Sequence, residues 1–185
     1  AVNHSFSTVA TGGFSTKNLS VRSFDSIWIE IIIMVFMLLS GIHFGLLYSS
    51  VIGKSYNIFK SSIVKYYLSL IFIGSILVSI NIKINGVYDS WYIAIREGFF
   101  QVISVGTTTG FANGDSSIWP GFSILIIIFF TIQCACSGST SGGMKVDRAF
   151  IFFKSVKASI NKQLHPSAII PIKIGNQVID RDTVY

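Results

Sequence analysis

The sequence predicts an all-α membrane protein built from helix–pore loop–helix repeats, with a re-entrant pore helix and a broken inner helix. Only 12% of the 185 residues are charged and 51% are hydrophobic, whereas soluble domains carry about 25% charged residues. Long apolar runs are interrupted by segments rich in Gly, Ser and Thr. One polar pattern in these segments occurs twice, 97 positions apart.

The repeated pattern is S-x-x-x-T-x-G-F, found at Ser7–Phe14 and at Ser104–Phe111. In lipid, backbone outside a helix is tolerated only where it is buried in protein or lines a water-filled cavity. We therefore interpret both segments as pore loops. The alternative is a pair of ordinary turns between transmembrane helices. Two copies, each before a full span, favour the pore loops.

Three apolar runs are predicted to cross the membrane: Ile27–Tyr48, Tyr66–Ile82 and Gly121–Cys136. At about 1.5 Å per residue, the first covers roughly 30 Å, which is the thickness of a bilayer core. Trp91–Val105 is too short and too polar to span, which is typical of a re-entrant pore helix. Residues 1–8 are expected to be the end of an equivalent helix.

The basic residues predict the topology. The segments 49–65 and 144–185 hold 10 of the 14 Lys and Arg residues, so the positive-inside rule places both in the cytoplasm and both pore loops on the outer side. This distribution argues against nucleic acid as a partner. Residues 144–164 are expected to form an amphipathic helix, followed by strand-like alternation at Ile170, Ile172 and Ile174 and a Gly175-Asn176 turn.

We divide the chain into four segments. Residues 1–48 carry a pore loop and an inner helix, and 49–65 form a cytoplasmic loop. Residues 66–148 make a whole repeat with outer helix, pore helix, filter and broken inner helix, and 149–185 form a cytoplasmic amphipathic helix and tail. Because the chain starts inside a repeat, we expect it to belong to a longer membrane protein.

The pore loops have the composition of a cation filter. Rings of backbone carbonyls replace the water around an ion, and glycine permits the backbone conformations that this requires. Gly13 and Gly110 occupy equivalent positions, while Thr11 and Thr108 can add hydroxyl oxygens or brace the loop. Neither loop holds a carboxylate, which favours a monovalent ion over Ca²⁺ or Mg²⁺. The candidate filter residues are Ala10, Thr11, Gly12, Gly13, Thr107, Thr108, Thr109 and Gly110.

A second polar break interrupts the third span beneath the predicted filter. A flexible, non-helical segment in the ion path could act as a gate. The alternative is a passive kink. A phosphate-binding loop is excluded because Met144 stands where that motif requires lysine. The candidate gating residues are Gly138, Ser139, Thr140, Ser141, Gly142 and Gly143.

Isolated polar residues in the apolar runs have simpler interpretations. We expect Glu30 to reach the membrane surface or to pair with a cation, and His43 to form an interhelical hydrogen bond. Arg96 and Glu97 are expected to anchor the pore helix.

No arrangement of residues predicts catalysis or an organic cofactor. Cys134 and Cys136 are too close in sequence for a favourable disulfide and are expected to be buried thiols. The chain contains no Ser-His-Asp set and no carboxylate pair with defensible spacing, so we expect it not to be an enzyme.

Three motifs, in order, resemble the Trk/Ktr/HKT potassium-transporter family, specifically the bacterial Trk-type membrane subunit. Residues 5–16 resemble its second pore loop, residues 97–111 its third, and Cys136–Val146 its intramembrane loop. His165-Pro166 is also similar, and the resemblance covers nearly the whole chain. The chain would then hold the end of repeat two and all of repeat three.

The resemblance implies four repeats of the K⁺ channel-like type around a pseudo-fourfold pore in the bacterial inner membrane. It implies K⁺ as the transported ion, a homodimer, and a cytoplasmic nucleotide-binding regulatory subunit. Gly13 and Gly110 would be filter glycines and Gly138–Gly143 the gate. Ser137, Ser141 and Asp147 depart from the family's Ala, Gly and apolar residue. Ser141 leaves the gate with one glycine fewer, and we expect Asp147 to pair with a nearby basic residue.

Two loops cannot close a fourfold filter. We therefore expect potassium uptake only when the remaining repeats of the protein are present, and the isolated chain to be an incomplete pore. The alternative is a truncated membrane scaffold that does not conduct.

Overall fold

A computed structural model describes residues 1–53, 58, 61–164, 172–174 and 177–179. The helices of this part are α1 (Val2–Val9), α2 (Ile27–Ser40), α3 (Phe44–Val51), α4 (Ser62–Ile84), α5 (Trp91–Gly106), α6 (Gly121–Ile132) and α7 (Val146–Leu164). Short 3₁₀ turns lie at Ser20–Phe24 and Ser116–Ile118. The strands are β1 (Gln133–Cys134), β2 (Met144–Lys145), β3 (Ile172–Ile174) and β4 (Gln177–Ile179).

Local sequence explains where α4, α5 and α6 begin or end. The Ser90 hydroxyl accepts a hydrogen bond from the Tyr92 amide at 3.3 Å and caps the start of α5. Gly86 follows the end of α4 with a φ of +69°, a conformation that favours glycine. Pro120 directly precedes α6, where its missing N–H costs no helical hydrogen bond.

The centre of the fold is α4, which packs against α5 and α6. Small residues allow the close approach. A Cβ at Gly98 of α5 would lie 2.5 Å from Ser79 Oγ of α4, and a Cβ at Gly74 of α4 would lie 2.3 Å from the Phe130 ring of α6. Membrane helices commonly pack through such residues because lipid supplies no hydrophobic drive between them. This packing holds the pore helix α5 in place.

The prediction of one continuous span over Ile27–Tyr48 is wrong. The run breaks after Ser40, and α3 leaves α2 at an angle of 103°. The break occurs at Gly41, whose carbonyl accepts a hydrogen bond from the Cys136 amide at 3.0 Å. A Cβ at Gly41 would lie 2.2 Å from the Tyr67 hydroxyl. Contacts with distant residues, which local hydropathy does not record, therefore end the helix.

The remaining predicted helices are found with altered ends. The second span is longer than expected, and α4 is the one helix among the described residues that is long and apolar enough to cross a membrane unaided. The pore helix α5 and the short helix α1 confirm their predictions. The third run stops at Ile132 instead of Cys136, because the next two residues pair as a strand with β2.

The C-terminal region also follows the predicted pattern where it is described. Helix α7 covers most of 144–164. Strands β3 and β4 pair antiparallel, with Ile172 opposite Ile179, which places Ile172 and Ile174 of the predicted alternation in a two-stranded sheet. Outside the described residues lie Ile170, the Gly175-Asn176 turn, His165-Pro166, Lys54 and Lys60.

Candidate functional site

The first loop (residues 10–14) and the second loop (residues 107–111) adopt the same conformation after α1 and α5. Their backbone hydrogen bonds are related by the same 97-residue offset as the sequence pattern. The bonds are Ala10 N to Phe6 O (2.9 Å) and Gly12 N to Ser7 O (2.8 Å), matched by Thr107 N to Ile103 O (2.9 Å) and Thr109 N to Ser104 O (2.9 Å). Each loop thus starts at a helix C-terminus, which carries a partial negative charge.

Both loops contain two residues with positive φ at equivalent positions. Gly13 has a φ of +66° and Gly110 has a φ of +83°, which are the backbone conformations for which we expected glycine. Thr11 and Thr108 also have positive φ, of +49° and +56°. The sequence predicted both threonines as filter residues but not their positive φ, because a β-branched residue rarely adopts a left-handed backbone.

A serine at the start of each pattern fixes the end of its loop. The Ser7 hydroxyl accepts a hydrogen bond from the Phe14 amide at 2.7 Å. The Ser104 hydroxyl donates to the Phe111 carbonyl at 2.6 Å. The sequence assigned no role to these two serines. Their recurrence in the repeated pattern was the signal that could have indicated a structural role in the loops.

The two loops touch each other. A Cβ at Gly13 would lie 2.2 Å from the Thr109 carbonyl oxygen, so no side chain fits there. The Thr107 and Thr109 hydroxyls lie 2.8 Å apart, and Thr107 also donates to the Ile103 carbonyl of α5 at 2.8 Å. Both hydroxyls are therefore occupied within the protein.

Between α6 and α7 the chain leaves the helical path and returns. Strands β1 and β2 pair in parallel, with Gln133 opposite Met144, and the loop between them covers residues 135–143. A Cβ at Gly143 would lie only 2.3 Å from the Cys134 sulfur, so the thiol leaves no room for a side chain at this position. Cys134 and Cys136 are both free and buried, which confirms the prediction of buried thiols.

The 135–143 loop bonds to both pore loops. The Thr11 hydroxyl donates to the Thr140 carbonyl at 3.1 Å, and the Thr140 hydroxyl donates to the Val9 carbonyl at 3.1 Å. The Gly142 amide donates to the Thr108 hydroxyl at 2.8 Å. The two threonines with left-handed backbone are therefore the residues that hold the loop against the candidate filter.

A polar cluster occupies the loop interior. Ser141 is buried, and its hydroxyl lies 2.8 Å from the Ser139 hydroxyl. The Lys145 ammonium donates to the carbonyl of Ser141 and, at 3.2 Å, to its hydroxyl. Ser141, which stands where the resemblance implies glycine, thus adds contacts that a glycine could not make.

Two expectations about nearby side chains are wrong. His43 forms no interhelical hydrogen bond through its Nδ1, which instead accepts from the Gly45 amide at 2.9 Å and caps α3. Its ring lies 2.7 Å from where a Cβ of Gly138 would be. Asp147 accepts a hydrogen bond from the Ser137 amide where we expected a basic partner. Both residues contact the first part of the 135–143 loop, at Gly138 and Ser137.

Glu30 pairs with a cation, one of the two outcomes that we expected. Its carboxylate is 1% exposed and accepts hydrogen bonds from Arg96 Nε at 2.7 Å and Nη2 at 2.6 Å. Asn113, just after the second loop, donates to the same carboxylate at 2.9 Å. Arg96 therefore anchors the pore helix, as predicted.

Glu97 provides a second anchor on the same helix. It accepts a hydrogen bond from the Tyr88 hydroxyl. Tyr88 lies in the turn between α4 and α5, where burial and the bond to Glu97 raise the pKa of its hydroxyl to about 12. The turn is thereby tied to the middle of the pore helix.

The candidate residues are brought together as two adjacent loops with the 135–143 loop bonded to both. Among the described residues, no cluster of three His, Cys, Asp or Glu side chains could hold a metal ion. Repeated pore loops, short pore helices and a broken helix beneath them define the class of membrane ion-transport proteins.

Comparisons with known proteins identify the family. The model of the TrkH family, described as "Cation transport protein", matches residues 1–81 and 62–185. The chain belongs to this family, which consists of transporters and not enzymes. It is 34% identical over 180 residues to the Trk system potassium uptake protein TrkH of Escherichia coli K12, and 36% identical over 176 residues to that of Halomonas elongata.

A solved structure shows the same fold. The crystal structure of the potassium transporter TrkH from Vibrio parahaemolyticus matches with a TM-score of 0.92 and 31% identity, over 99% of this chain and 40% of that one. The two sequence relatives are matched over 97% and 95% of this chain but only 37% and 36% of their own length. The all-α membrane fold with pore-loop repeats is thus confirmed, and the chain spans little more than a third of its relatives.

Proposed function

We propose that the first and second loops line a potassium filter and that this chain contributes them to a potassium-uptake transporter. The observation that carries the proposal is the shared backbone of Thr11–Gly13 and Thr108–Gly110. A backbone that alternates between left- and right-handed residues turns successive carbonyls toward one side, as a filter requires. The proposed ion contacts come from Ala10, Thr11, Gly12 and Gly13 and from Thr107, Thr108, Thr109 and Gly110.

Potassium is the proposed ion for two reasons. Neither loop contains a carboxylate, which a site for a divalent ion would need. The relatives from Escherichia coli and Halomonas elongata are named as potassium uptake proteins. K⁺ is thus the transported substrate.

Further parts of the same protein complete the pore. Two loops do not enclose an ion, and Phe6 and Phe14 beside the first loop are 72% and 81% exposed. Such apolar surface is expected to be covered by lipid or protein. We propose that the remaining repeats pack there. A homodimer and a cytoplasmic nucleotide-binding regulatory subunit are proposed from the family resemblance.

The 135–143 loop is the proposed gate, through residues Gly138, Ser139, Thr140, Ser141, Gly142 and Gly143. Its support is the pair of hydrogen bonds to Thr11 and Thr108, which place it against both filter loops. Opening requires these bonds and the Lys145 contact with Ser141 to break. The state described here is therefore proposed to be closed.

We also propose an inner-membrane orientation with residues 49–65 and 144–185 in the cytoplasm. The support is the concentration of Lys and Arg in these segments. The pore loops then face outward, and the gate lies between them and the cytoplasmic part of α7. A tag placed after Leu164, tested for protection from external protease, should remain intact in sealed cells.

The function is tested with the complete protein that carries this chain, expressed in Escherichia coli cells that lack potassium uptake. We expect growth at low external K⁺, and ⁸⁶Rb⁺ uptake that K⁺ inhibits far more strongly than Na⁺. Protein that reaches the membrane at normal abundance and carries no Rb⁺ would instead support the scaffold alternative.

A further inference from the structure

An ion pair connects the two repeats behind the candidate filter, between the buried carboxylate of Glu30 and Arg96, whose side chain is 23% exposed. Glu30 lies on α2, the helix that follows the first loop, whereas Arg96 lies on α5, the helix that precedes the second. Asn113, the third member, follows the second loop. One carboxylate therefore joins the helix behind the first loop to segments on both sides of the second.

Backbone contacts run parallel to this link. The Val21 amide donates to the Ala112 carbonyl at 3.1 Å, and Gly13 lies against the Thr109 carbonyl. These contacts are short and lie directly beside the loops. The two loops are thus joined by direct backbone contacts and, behind them, by the Glu30–Arg96 contact that links α2 to α5.

Stability alone is a weak reason for such a pair. Desolvating two charges can cancel the attraction between them, and apolar residues of similar size are often as stable. A bidentate arginine–carboxylate contact, in contrast, fixes distance and orientation together. The Arg96–Glu30 contact has this form, with two bonds of similar length.

We propose that Glu30 is a positioning residue for ion selectivity, acting through Arg96 and Asn113 on the placement of the second loop. The carboxylate touches no ion. It sets the spacing between carbonyls of two neighbouring repeats, on which discrimination between K⁺ and Na⁺ depends. This inference rests on the proposed function of the loops as a potassium filter.

The test measures ⁸⁶Rb⁺ uptake by the complete transporter and the ratio of the Na⁺ and K⁺ concentrations that halve it. Glu30→Gln keeps the shape but removes the charge, and should lower the ratio about tenfold, a difference of about 1.4 kcal/mol. Asn113→Leu leaves the ion pair in place and should lower the ratio by less. A purely structural role would reduce maximal uptake through lower abundance and leave the ratio unchanged.

Asp25→Asn is the matched control. Asp25 also lies near Arg96, but its carboxylate is 4.0 Å from Nη2 and its side chain is 95% exposed, so the ratio should stay within about twofold of the wild type. Equal losses in Asp25→Asn and Glu30→Gln would overturn the proposal, because the loss of any negative charge near Arg96 would then have the same effect as the loss of the buried contact.

If Glu30→Gln fails to accumulate, Glu30→Asp and Arg96→Lys test whether Glu30 positions the second loop. Both keep the charges and break the bidentate geometry, so a lower ratio at normal abundance supports positioning, whereas unchanged ratios overturn it. Wild-type protein without potassium-selective uptake would refute the proposed function itself. Selective wild-type uptake with unaltered variants would refute only the role of Glu30.

Discussion

Gly142 donates its backbone amide to the Thr108 hydroxyl at 2.8 Å and so joins the 135–143 loop to the second pore loop. On the other side, the Thr11 hydroxyl donates to the Thr140 carbonyl at 3.1 Å. Equivalent threonines thus hold one loop from two repeats, once as acceptor and once as donor.

Removing these hydroxyls should favour the open gate. Thr108→Val and Thr11→Val keep the β-branched shape and each lose one hydrogen bond to the 135–143 loop, worth about 1 kcal/mol, which corresponds to about fivefold faster basal ⁸⁶Rb⁺ uptake per variant. Thr131→Val is the control, since its hydroxyl bonds within α6 to Ile127. Uptake unchanged in all three would show that the loop does not limit flux.

Ser141→Gly should loosen the loop further. The change removes the hydroxyl that contacts Ser139 and Lys145 and raises backbone freedom. We expect faster hydrogen exchange at the amides of residues 137–143 and higher basal uptake. Ser137→Gly is the comparison, since the exposed Ser137 engages Asp147 through its backbone amide. A greater effect of Ser137→Gly than of Ser141→Gly would contradict the role of the buried cluster.

Gly110→Ser should weaken discrimination between K⁺ and Na⁺. No atom lies within 4 Å of a Cβ at Gly110 among the described residues, so the strain comes from its φ of +83° and amounts to about 1–2 kcal/mol. Gly86→Ser has a similar φ of +69°, equal space and a position outside the loops. Only Gly110→Ser should change the Na⁺-to-K⁺ inhibition ratio, although both should lower thermal stability. An unchanged ratio would remove Gly110 from the filter.

Gly98→Ala should separate the pore helix from α4. Its Cβ would lie 2.5 Å from Ser79 Oγ, and such overpacking costs about 1–3 kcal/mol. A lower melting temperature in detergent is the expected result. Gly121→Ala, at a position with open space, should melt like the wild type. Equal melting of both variants would mean that α4 and α5 can move apart without cost.

Alkaline pH should destabilise the turn at Tyr88. Its pKa is raised to about 12 in the folded state, against about 10 in an unfolded chain. Between these values the folded protein holds a proton that the unfolded chain has lost, so stability falls as pH rises through this window. Tyr88→Phe should show a smaller fall between pH 10 and 12 in thermal melts. An equal loss of stability in both proteins would show that Tyr88 does not cause the pH dependence.

The recurrence of S-x-x-x-T-x-G-F predicted the paired loops, because equivalent residues in the two copies form equivalent hydrogen bonds. Sequence also located the pore helix and the break near Gly138. The left-handed Thr11 and Thr108 could not be predicted, since intrinsic preference opposes that backbone and only the surrounding hydrogen bonds stabilise it.

The sequence by itself determined the membrane class, the paired loops and the family, because composition, repetition and motif order are properties of the chain alone. Tertiary structure decided the bend at Gly41, the early end of α6 and the partners of Glu30 and His43. In each case the deciding contact joins residues far apart in sequence, as between Gly41 and Cys136 or Glu30 and Arg96. Local hydropathy holds no record of such contacts, and the packing of α2, α5 and the 135–143 loop creates them.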